Sequence, residues 1–309
     1  MADRHPFVWQ RSLSIAAVTA ALGFVAGCTL PVGRSANKEI IIPISLSLQQ
    51  QSAKPKTSEV KALVAQQDEL YEKVVAKFAE AQTVKQLNFP LPVQFQGKTI
   101  QDVKVNSAQK VVALTFDDGP WENSTSKVLG VLKKNNVKAT FFVVGKQVER
   151  HPQMLKQMVA NGHAIGNHTW SHQYHHFNQS TAAREIDNTA SLVYKITGVK
   201  TSLFRPPAGI LGNGLAAYAH QKKYAVVMWS VDSKDWRSWH MTPQRMVGSI
   251  VKDAKPGGII LLHDGGGDRS HTVQALPKLI AQLKKRGYKF VTVPELLKMQ
   301  DKKLKPLKS

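Results

Sequence analysis

The feature that most constrains the fold is the alternation, after residue 110, of short apolar runs with stretches of helical periodicity. Parallel strands joined by helices produce this alternation, in an open sheet or in a closed one. We therefore predict an α/β fold, specifically an irregular (β/α) barrel of about seven parallel strands. The predicted strands are Val111–Phe116, Ala139–Val144, Ala164–Gly166, Leu203–Arg205, Ala225–Ser230, Ile259–Leu262 and Lys289–Thr292. The predicted helices are Ser124–Asn135, Pro152–Asn161, Thr181–Ile196, Thr242–Asp253 and Thr272–Arg286.

Polar clusters lie at the carboxyl ends of five of the predicted strands. They are Asp117-Asp118, the segment from His168 to His172, Arg205, the segment from Asp232 to Trp236, and His263-Asp264. In barrels of this kind the carboxyl ends of the strands meet at one rim, and chemistry collects there. The sequence therefore predicts an active site at this rim.

The one cysteine, Cys28, excludes a disulfide framework and a Cys-rich zinc site. It follows the basic Arg4 and Arg11 and an uncharged apolar stretch ending Val25-Ala26-Gly27. This pattern resembles a bacterial lipobox, with 1–27 as signal peptide and Cys28 as the lipidated residue. An ordinary cleaved signal and a buried free thiol are the alternatives. We expect an exported protein, lipid-anchored to the cell membrane or outer membrane and facing the periplasm or wall.

Four further regions surround the main domain, which we place at 111–298. We predict a flexible tether at 28–57, an amphipathic helix at 58–87, a lead-in segment at 88–110 and a basic tail at 299–309. Gly97-Lys98 in the lead-in predicts a hairpin turn. The apolar stripe of the helix, which includes Leu70 and Val74, suits a spacer, a coiled-coil stub or a packed strut, and packing is the favoured interpretation.

The chain is strongly basic, with 42 Lys and Arg against 21 Asp and Glu and a formal net charge of +21. Such a surplus indicates an anionic partner. The basic residues are spread along the chain and form no nucleic-acid recognition motif. We therefore expect no nucleic acid, and attraction to an anionic envelope surface.

Two motifs carry the predicted chemistry. Asp117 and Asp118 are neighbours at a strand end, so their side chains point opposite ways and cannot do the same job. His168 and His172 are four residues apart, a spacing that can present both imidazoles to one ion. Joined by one aspartate, they would form a His₂-carboxylate site for a divalent metal, with Zn²⁺ favoured and Co²⁺ or Ni²⁺ possible. Taken alone, a solvated Asp-Asp turn and a chance histidine pair are the competing interpretations.

Five motif blocks in one order resemble the NodB-homology polysaccharide deacetylases, carbohydrate esterase family 4. The resemblance runs from Val111 to Leu297. The blocks are TFDDGP at Thr115–Pro120, H(S/T)xxH at His168–His172, RPPxG at Arg205–Gly209, DxxDW at Asp232–Trp236 and LxH at Leu261–His263.

The resemblance implies a role for each matching residue. Asp117 would be the general base, held by Arg205, and His263 the general acid, oriented by Asp235. The implied metal ligands are Asp118, His168 and His172, and the implied substrate-binding residues are Trp121, Ala208, Trp236 and Leu261. A backbone N–H near Ala208 would hold the oxyanion. Ala208 departs from the family, which often has Tyr there, so the substrate groove loses one aromatic wall.

The resemblance also implies the reaction. We expect a hydrolase of linear amide bonds that removes N-acetyl groups from N-acetylglucosamine polymers, either peptidoglycan or chitin-like oligosaccharides. O-deacetylation of a glycan such as xylan, and a non-catalytic wall-binding module, are the alternatives.

The lipobox gives the first testable prediction. Cys28→Ser removes the thiol that would be acylated, so the variant should leave the membrane fraction or persist as an unprocessed precursor. Fractionation, with labelled fatty acid supplied to the native host, measures this. Wild-type protein that incorporates no label would contradict lipidation.

Overall fold

A computed structural model describes residues 65–77, 91–106, 108–237 and 241–300, together with the single positions 58, 62 and 88. The predicted signal peptide and tether, with Cys28, lie outside these residues, as do residues 301–309 of the predicted basic tail.

The core of the fold is a nine-stranded sheet whose strand pairs are all parallel. The strands run in the order β1-β6-β5-β4-β3-β2-β8-β7, and β9 also pairs with β2. Their bounds are β1 Thr99–Ile100, β2 Val111–Asp117, β3 Thr140–Val143, β4 Ala164–Asn167, β5 Leu203–Phe204, β6 Ala225–Val227, β7 Val231–Asp232, β8 Gly258–His263 and β9 Lys289–Phe290. The sheet curls into an incomplete barrel, which confirms the predicted fold class.

Strand β2 is an interior strand of the sheet, and its sequence suits a strand that is covered on both faces. All seven of its residues are buried, and it pairs with β3 on one side and β8 on the other. A near-continuous apolar run is what a parallel strand covered on both faces requires. The register places Asp117 opposite His263, so the last residues of two central strands meet at one rim.

Eight helices connect or follow the strands of the described domain. Their bounds are α1 Glu122–Lys134, α2 Gly145–Arg150, α3 Pro152–Ala160, α4 Gln179–Thr197, α5 Leu215–Gln221, α6 Pro243–Asp253, α7 Ser270–Lys285 and α8 Val293–Lys298. Side-chain caps fix several starts: Asn178 and Thr242 each accept a hydrogen bond from the first turn of their helix. At α8, Thr292 and Glu295 form a reciprocal capping box. Short 3₁₀ turns occupy Val93–Phe95 and Pro207–Gly209.

Apolar side chains fill both sides of the sheet. Most of the helices pack on one side, where Leu114 and Phe116 of β2 meet residues such as Leu279 of α7. On the other side Ala113 of β2 belongs to a second cluster, with Phe95 from the lead-in segment. Because neighbouring residues of β2 enter different clusters, the strand is covered on both faces.

The lead-in segment corrects one prediction. Gly97-Lys98 does not form a hairpin, since β1 follows it directly and pairs parallel with β6. The N–H of Gly97 donates to Tyr224 O, just before β6. The partner of this segment is therefore distant in sequence, which a local turn signal cannot reveal.

Seven predicted strands are present, and β1 and β7 are the two that periodicity missed. Each has only two residues, too few to show an alternating pattern.

The predicted helix at 58–87 is helical over its described part, 65–77. Leu70 and Val74 on this helix are 63 % and 42 % exposed, so the favoured packing of its stripe is not found within the described chain. No helix among the described residues combines the length and apolarity that crossing a bilayer requires.

His163 generates a stability prediction. Its ring is buried, and its Nδ1 accepts a hydrogen bond from the Ala139 N–H at 3.1 Å. Burial, with a smaller effect from Lys138, lowers the pKa of His163 to about 3. Between that value and the unfolded pKa of about 6.5, the unfolded chain binds the proton and the folded chain does not. Stability is therefore lost as the pH falls through this range.

His163→Asn keeps an acceptor for Ala139 and removes the titration. Between pH 6 and pH 4 the wild type should lose about 1.4 kcal/mol per pH unit more than this variant. Urea unfolding of both proteins across this range measures the difference. Equal slopes would contradict the prediction.

Candidate active site

The polar clusters of the sequence converge on one cavity of about 560 Å³ at the carboxyl ends of the strands. Asp117 and His263 are the last residues of β2 and β8, whereas His168 and Arg205 directly follow β4 and β5. The parallel sheet brings these ends to one rim. Asp118, His172 and Trp236 also line the cavity.

Asp118, His168 and His172 form a possible metal site. Within the described chain they are the one group of three or more His, Cys, Asp or Glu side chains whose ligand atoms all lie within 4.8 Å of one another. Oδ1 of Asp118 lies 3.0 Å from His172 Nε2 and 3.5 Å from His168 Nε2. This oxygen is buried, yet no described residue gives it a hydrogen bond of acceptable geometry. A carboxylate oxygen and two imidazole nitrogens that converge without pairing fit a divalent cation.

A hydrogen bond sets the orientation of His168. Its Nδ1 lies 2.6 Å from the backbone oxygen of Arg205, which can only accept. Nδ1 therefore carries a proton, and Nε2 points toward Asp118 and the cavity. Metal-binding histidines commonly have such a partner on the second ring nitrogen. Burial raises the pKa of the Asp118 carboxyl, but His168 and His172 beside it lower this pKa more, so it lies well below its ordinary value.

Asp117 is held by a buried ion pair. Its Oδ1 lies 2.7 Å from Arg205 NH1, and Arg205 is fully buried. The same nitrogen of Arg205 donates to Thr115 Oγ1, while Nε and NH2 donate to the backbone oxygens of Val227 and Met228. The second oxygen of Asp117 lies 3.8 Å from His168 Nε2. Both carboxylates therefore line one cavity and approach His168 Nε2, so the prediction that they point opposite ways is wrong: Asp118, with φ of 77°, has left the extended backbone on which it depends. Their closer partners still differ, Arg205 for Asp117 and His172 for Asp118.

Asp235 holds His263 by two contacts. His263 Nδ1 lies 2.6 Å from Asp235 Oδ1, and the His263 backbone N–H donates to Oδ2 at 2.8 Å. Thr272 Oγ1 donates to Oδ2 as well. Burial lowers the pKa of His263, but Asp235, with Asp117 and Asp118, outweighs burial and raises this pKa to about 9. Burial raises the pKa of Asp235, and its hydrogen bonds from His263 and Thr272 bring it below the ordinary value.

Asp264 is a buried residue of the site that the motif analysis left without a role. Its Oδ2 accepts a hydrogen bond from Thr125 Oγ1 at 2.5 Å, and its backbone N–H donates to Asp117 O. A Cβ on Gly119 would lie 2.2 Å from the same Oδ2, so only glycine permits this contact. Burial raises the pKa of Asp264 to about 7. Asp264 thereby fixes the turn that follows the two aspartates.

The predicted substrate-binding residues all line the cavity. Trp236 is 48 % exposed and Trp121 is half-buried, whereas Leu261 is buried. Ala208 is exposed and has a left-handed backbone, with φ of 53°. A further tryptophan of this segment, Trp239, lies outside the described residues.

Three residues to which the sequence assigned no role contact the motif residues. Thr115 bonds Arg205, Thr272 bonds Asp235, and Arg269 NH2 lies 3.9 Å from Asp118 Oδ2. Thr115 opens the first motif block, which was the available signal for it. Thr272 and Arg269 lie at the start of α7, where no spacing marks them.

The family can now be assigned from comparison with known proteins. The sequence model of the polysaccharide deacetylase family matches residues 104–227. A peptidoglycan-N-acetylglucosamine deacetylase of Bacillus cereus is 43 % identical over 198 residues, which are 63 % of this chain and 92 % of that protein. The chain belongs to the polysaccharide deacetylase family. The resemblance based on the motif blocks and the prediction of an enzyme are thereby confirmed.

One further sequence relative and one solved structure are also similar to this deacetylase. A bifunctional xylanase/deacetylase of Pseudobutyrivibrio xylanivorans is 41 % identical over 194 residues, 62 % of this chain and 31 % of that protein. The crystal structure of the Bc1960 peptidoglycan N-acetylglucosamine deacetylase superposes with a TM-score of 0.61 at 34 % identity. The match covers 67 % of this chain and 95 % of that one.

The Asp235–His263 pair predicts an unusual titration. In the wild type the imidazole of His263 should titrate at about 9. Asp235→Asn removes the carboxylate that favours the charged ring, so the pKa of His263 should fall. Nuclear magnetic resonance of the ring across pH 5 to 10 measures both values. An unchanged pKa in the variant would contradict the assignment to Asp235.

Proposed function

We propose that this deacetylase removes N-acetyl groups from N-acetylglucosamine polymers, peptidoglycan first and chitin-like oligosaccharides second. One observation carries the proposal. A carboxylate fixed by a buried arginine and an imidazole fixed by a buried carboxylate line the same cavity as the possible metal site. Hydrolysis of an amide needs these three components: a base for water, an acid for the amine, and stabilisation of the developing charge.

Asp117 is the proposed general base. Its Oδ1 is occupied by Arg205, which leaves Oδ2 to accept the proton of the attacking water. Asp118, His168 and His172 would hold the metal ion, with Zn²⁺ favoured and Co²⁺ or Ni²⁺ as alternatives. When bound, such an ion lowers the pKa of water toward about 7 and polarises the acetyl carbonyl.

His263 is the proposed general acid. An amine leaves an amide only after its nitrogen gains a proton, and a ring with a pKa of about 9 carries that proton at neutral pH. Asp235 keeps Nδ1 of this ring occupied, so the proton is given from Nε2. The backbone N–H near Ala208 would stabilise the oxyanion.

The polymer would bind across the aromatic rim. Trp121 and Trp236 offer faces on which sugar rings can stack, with Leu261 at the floor and Ala208 beside them. Ala208 is small and exposed, so it leaves room where the family often has a tyrosine.

O-deacetylation of a glycan such as xylan is the second candidate, and the likeness to the bifunctional xylanase/deacetylase is the observation that favours it. We rank it second because the Bacillus cereus peptidoglycan deacetylase is matched over nearly its whole length. A non-catalytic wall-binding module ranks last, since it would not need two separately fixed proton-transfer groups beside a ligand set.

We place the enzyme at the cell envelope, where its polymer is found. Lipidation at Cys28 would anchor it to the membrane, and the net charge of +21 would draw it to an anionic wall or membrane surface.

One experiment separates the substrates. Acetate release from peptidoglycan, chitin oligomers and acetylxylan is measured side by side, with and without a chelator. We expect the largest kcat/KM on an N-acetylglucosamine polymer, loss with the chelator, and recovery with Zn²⁺ or Co²⁺. Fastest release from acetylxylan would favour the second candidate, and full activity without metal would exclude the proposed mechanism.

The two neighbouring aspartates should fail differently. Asp118→Asn should weaken metal binding and activity together, whereas Asp117→Asn should keep the metal and lose about 10²–10⁴-fold in kcat. Metal content by mass spectrometry, beside acetate release, distinguishes them. His176→Ala is the control, since His176 is an exposed histidine that does not line the cavity. If Asp117→Asn loses the metal and Asp118→Asn keeps it, the roles are reversed.

A further inference from the structure

We propose that Glu185, a residue of α4 outside every motif block, is a positioning residue of the metal site. Its carboxylate holds the loop between His168 and His172 in the conformation that presents both imidazoles to one cation. The inference rests on the metal site of the proposed function and adds to it a residue that touches neither the ion nor the substrate.

One carboxylate makes three hydrogen bonds to this loop. Oε2 of Glu185 accepts the backbone N–H groups of Trp170 at 2.9 Å and Ser171 at 2.8 Å. Oε1 accepts the Ser171 hydroxyl at 2.8 Å. Hydrogen bonds to an ionised acceptor are roughly twice as strong as neutral ones. All three bonds reach Trp170 and Ser171, two of the three residues that separate the histidines.

The loop needs such support because its backbone is strained. Thr169 and His172 have φ values of 70° and 56°, in the left-handed region that a β-branched residue such as Thr rarely adopts. Strained conformations persist only where the surrounding structure over-determines them. Neighbouring segments supply the other contacts: the N–H groups of Gly145 and Lys146 donate to the carbonyls of Thr169 and Trp170.

Helix α4 also contacts the start of the loop through Asn167, so the helix and the loop are connected at a second point. Asn167 donates to the backbone oxygen of Ile186, the residue after Glu185, at 2.7 Å. The side-chain oxygen of Asn167 accepts the Thr169 N–H at 2.9 Å. Without the Glu185 carboxylate, the N–H groups of Trp170 and Ser171 lose their acceptor, and the loop can relax away from the geometry that aligns His172.

The test is zinc affinity of the full chain, measured by competition with a chromophoric chelator and no substrate present. Glu185→Ala should raise the Kd for Zn²⁺ about 10–100-fold, the usual cost of losing a partner behind a metal ligand. Glu185→Gln should cost less, since its amide oxygen can take both N–H groups. Asp187→Ala is the matched control: this carboxylate lies on the same helix but bonds Tyr218 and Lys222 instead of the loop.

A visible absorption spectrum of the Co²⁺-loaded proteins gives a second readout, because it reports ligand geometry directly. It should change in Glu185→Ala and not in Asp187→Ala. A folded Glu185→Ala with the wild-type Kd and spectrum would overturn the proposal. If that variant does not fold, Glu185→Gln decides: a Kd above that of Asp187→Ala supports the proposal, and an equal Kd overturns it. Wild-type protein that binds zinc but releases no acetate would contradict the deacetylation proposal alone.

Discussion

The buried ion pair of Arg205 with Asp117 connects more of the site than any other contact. Arg205 lies just after β5, and its guanidinium also bonds Thr115 on β2 and the Val227 carbonyl at the end of β6. Removing one partner of such a pair leaves an uncompensated buried charge and costs about 3–5 kcal/mol. The Arg205 backbone oxygen also fixes the ring of His168. Arg205 therefore positions both Asp117, the proposed base, and His168, a proposed metal ligand.

Backbone strain is concentrated where the chemistry is proposed. Asp118, His172 and Ala208 have φ values of 77°, 56° and 53°, and each contributes an atom to the cavity wall. Non-glycine residues in this region cost of order 1–3 kcal/mol each and survive where hydrogen bonds and packing hold them. Asp264 is one such support, since it braces the turn after Asp118. The rigid strands supply positions, and the strained turns after them direct side chains into the cavity.

The strands that could be predicted from the sequence are those long enough to produce a local hydrophobic pattern. Long buried runs such as β2 and β8 were found, whereas β7 has two residues and β1 depends on a partner more than a hundred residues away, β6. The motif residues were predicted to meet because parallel strands share a carboxyl edge, and they do. Asp264 was predicted at the rim without a role, and Thr272 and Glu185 were not predicted as parts of the site. Their importance comes from three-dimensional contacts between elements, which no spacing in the sequence encodes.

The charges around the cavity show why Asp118 stands apart. Asp117 is paired with Arg205 and Asp235 with His263, while burial raises the pKa of Asp264 to about 7 and so favours its neutral form. Burial raises the pKa of Asp118, but His168 and His172 beside it bring this pKa well below its ordinary value. Arg269 NH2 lies 3.9 Å from Asp118 Oδ2, too far for a hydrogen bond, and Oδ1 faces the two imidazoles. A buried carboxylate is costly unless it is closely paired, and a divalent cation at Oδ1 would complete the pairing. The chain is strongly basic overall, with a net charge of +21, so the negative charge of this carboxylate is a local feature of the cavity.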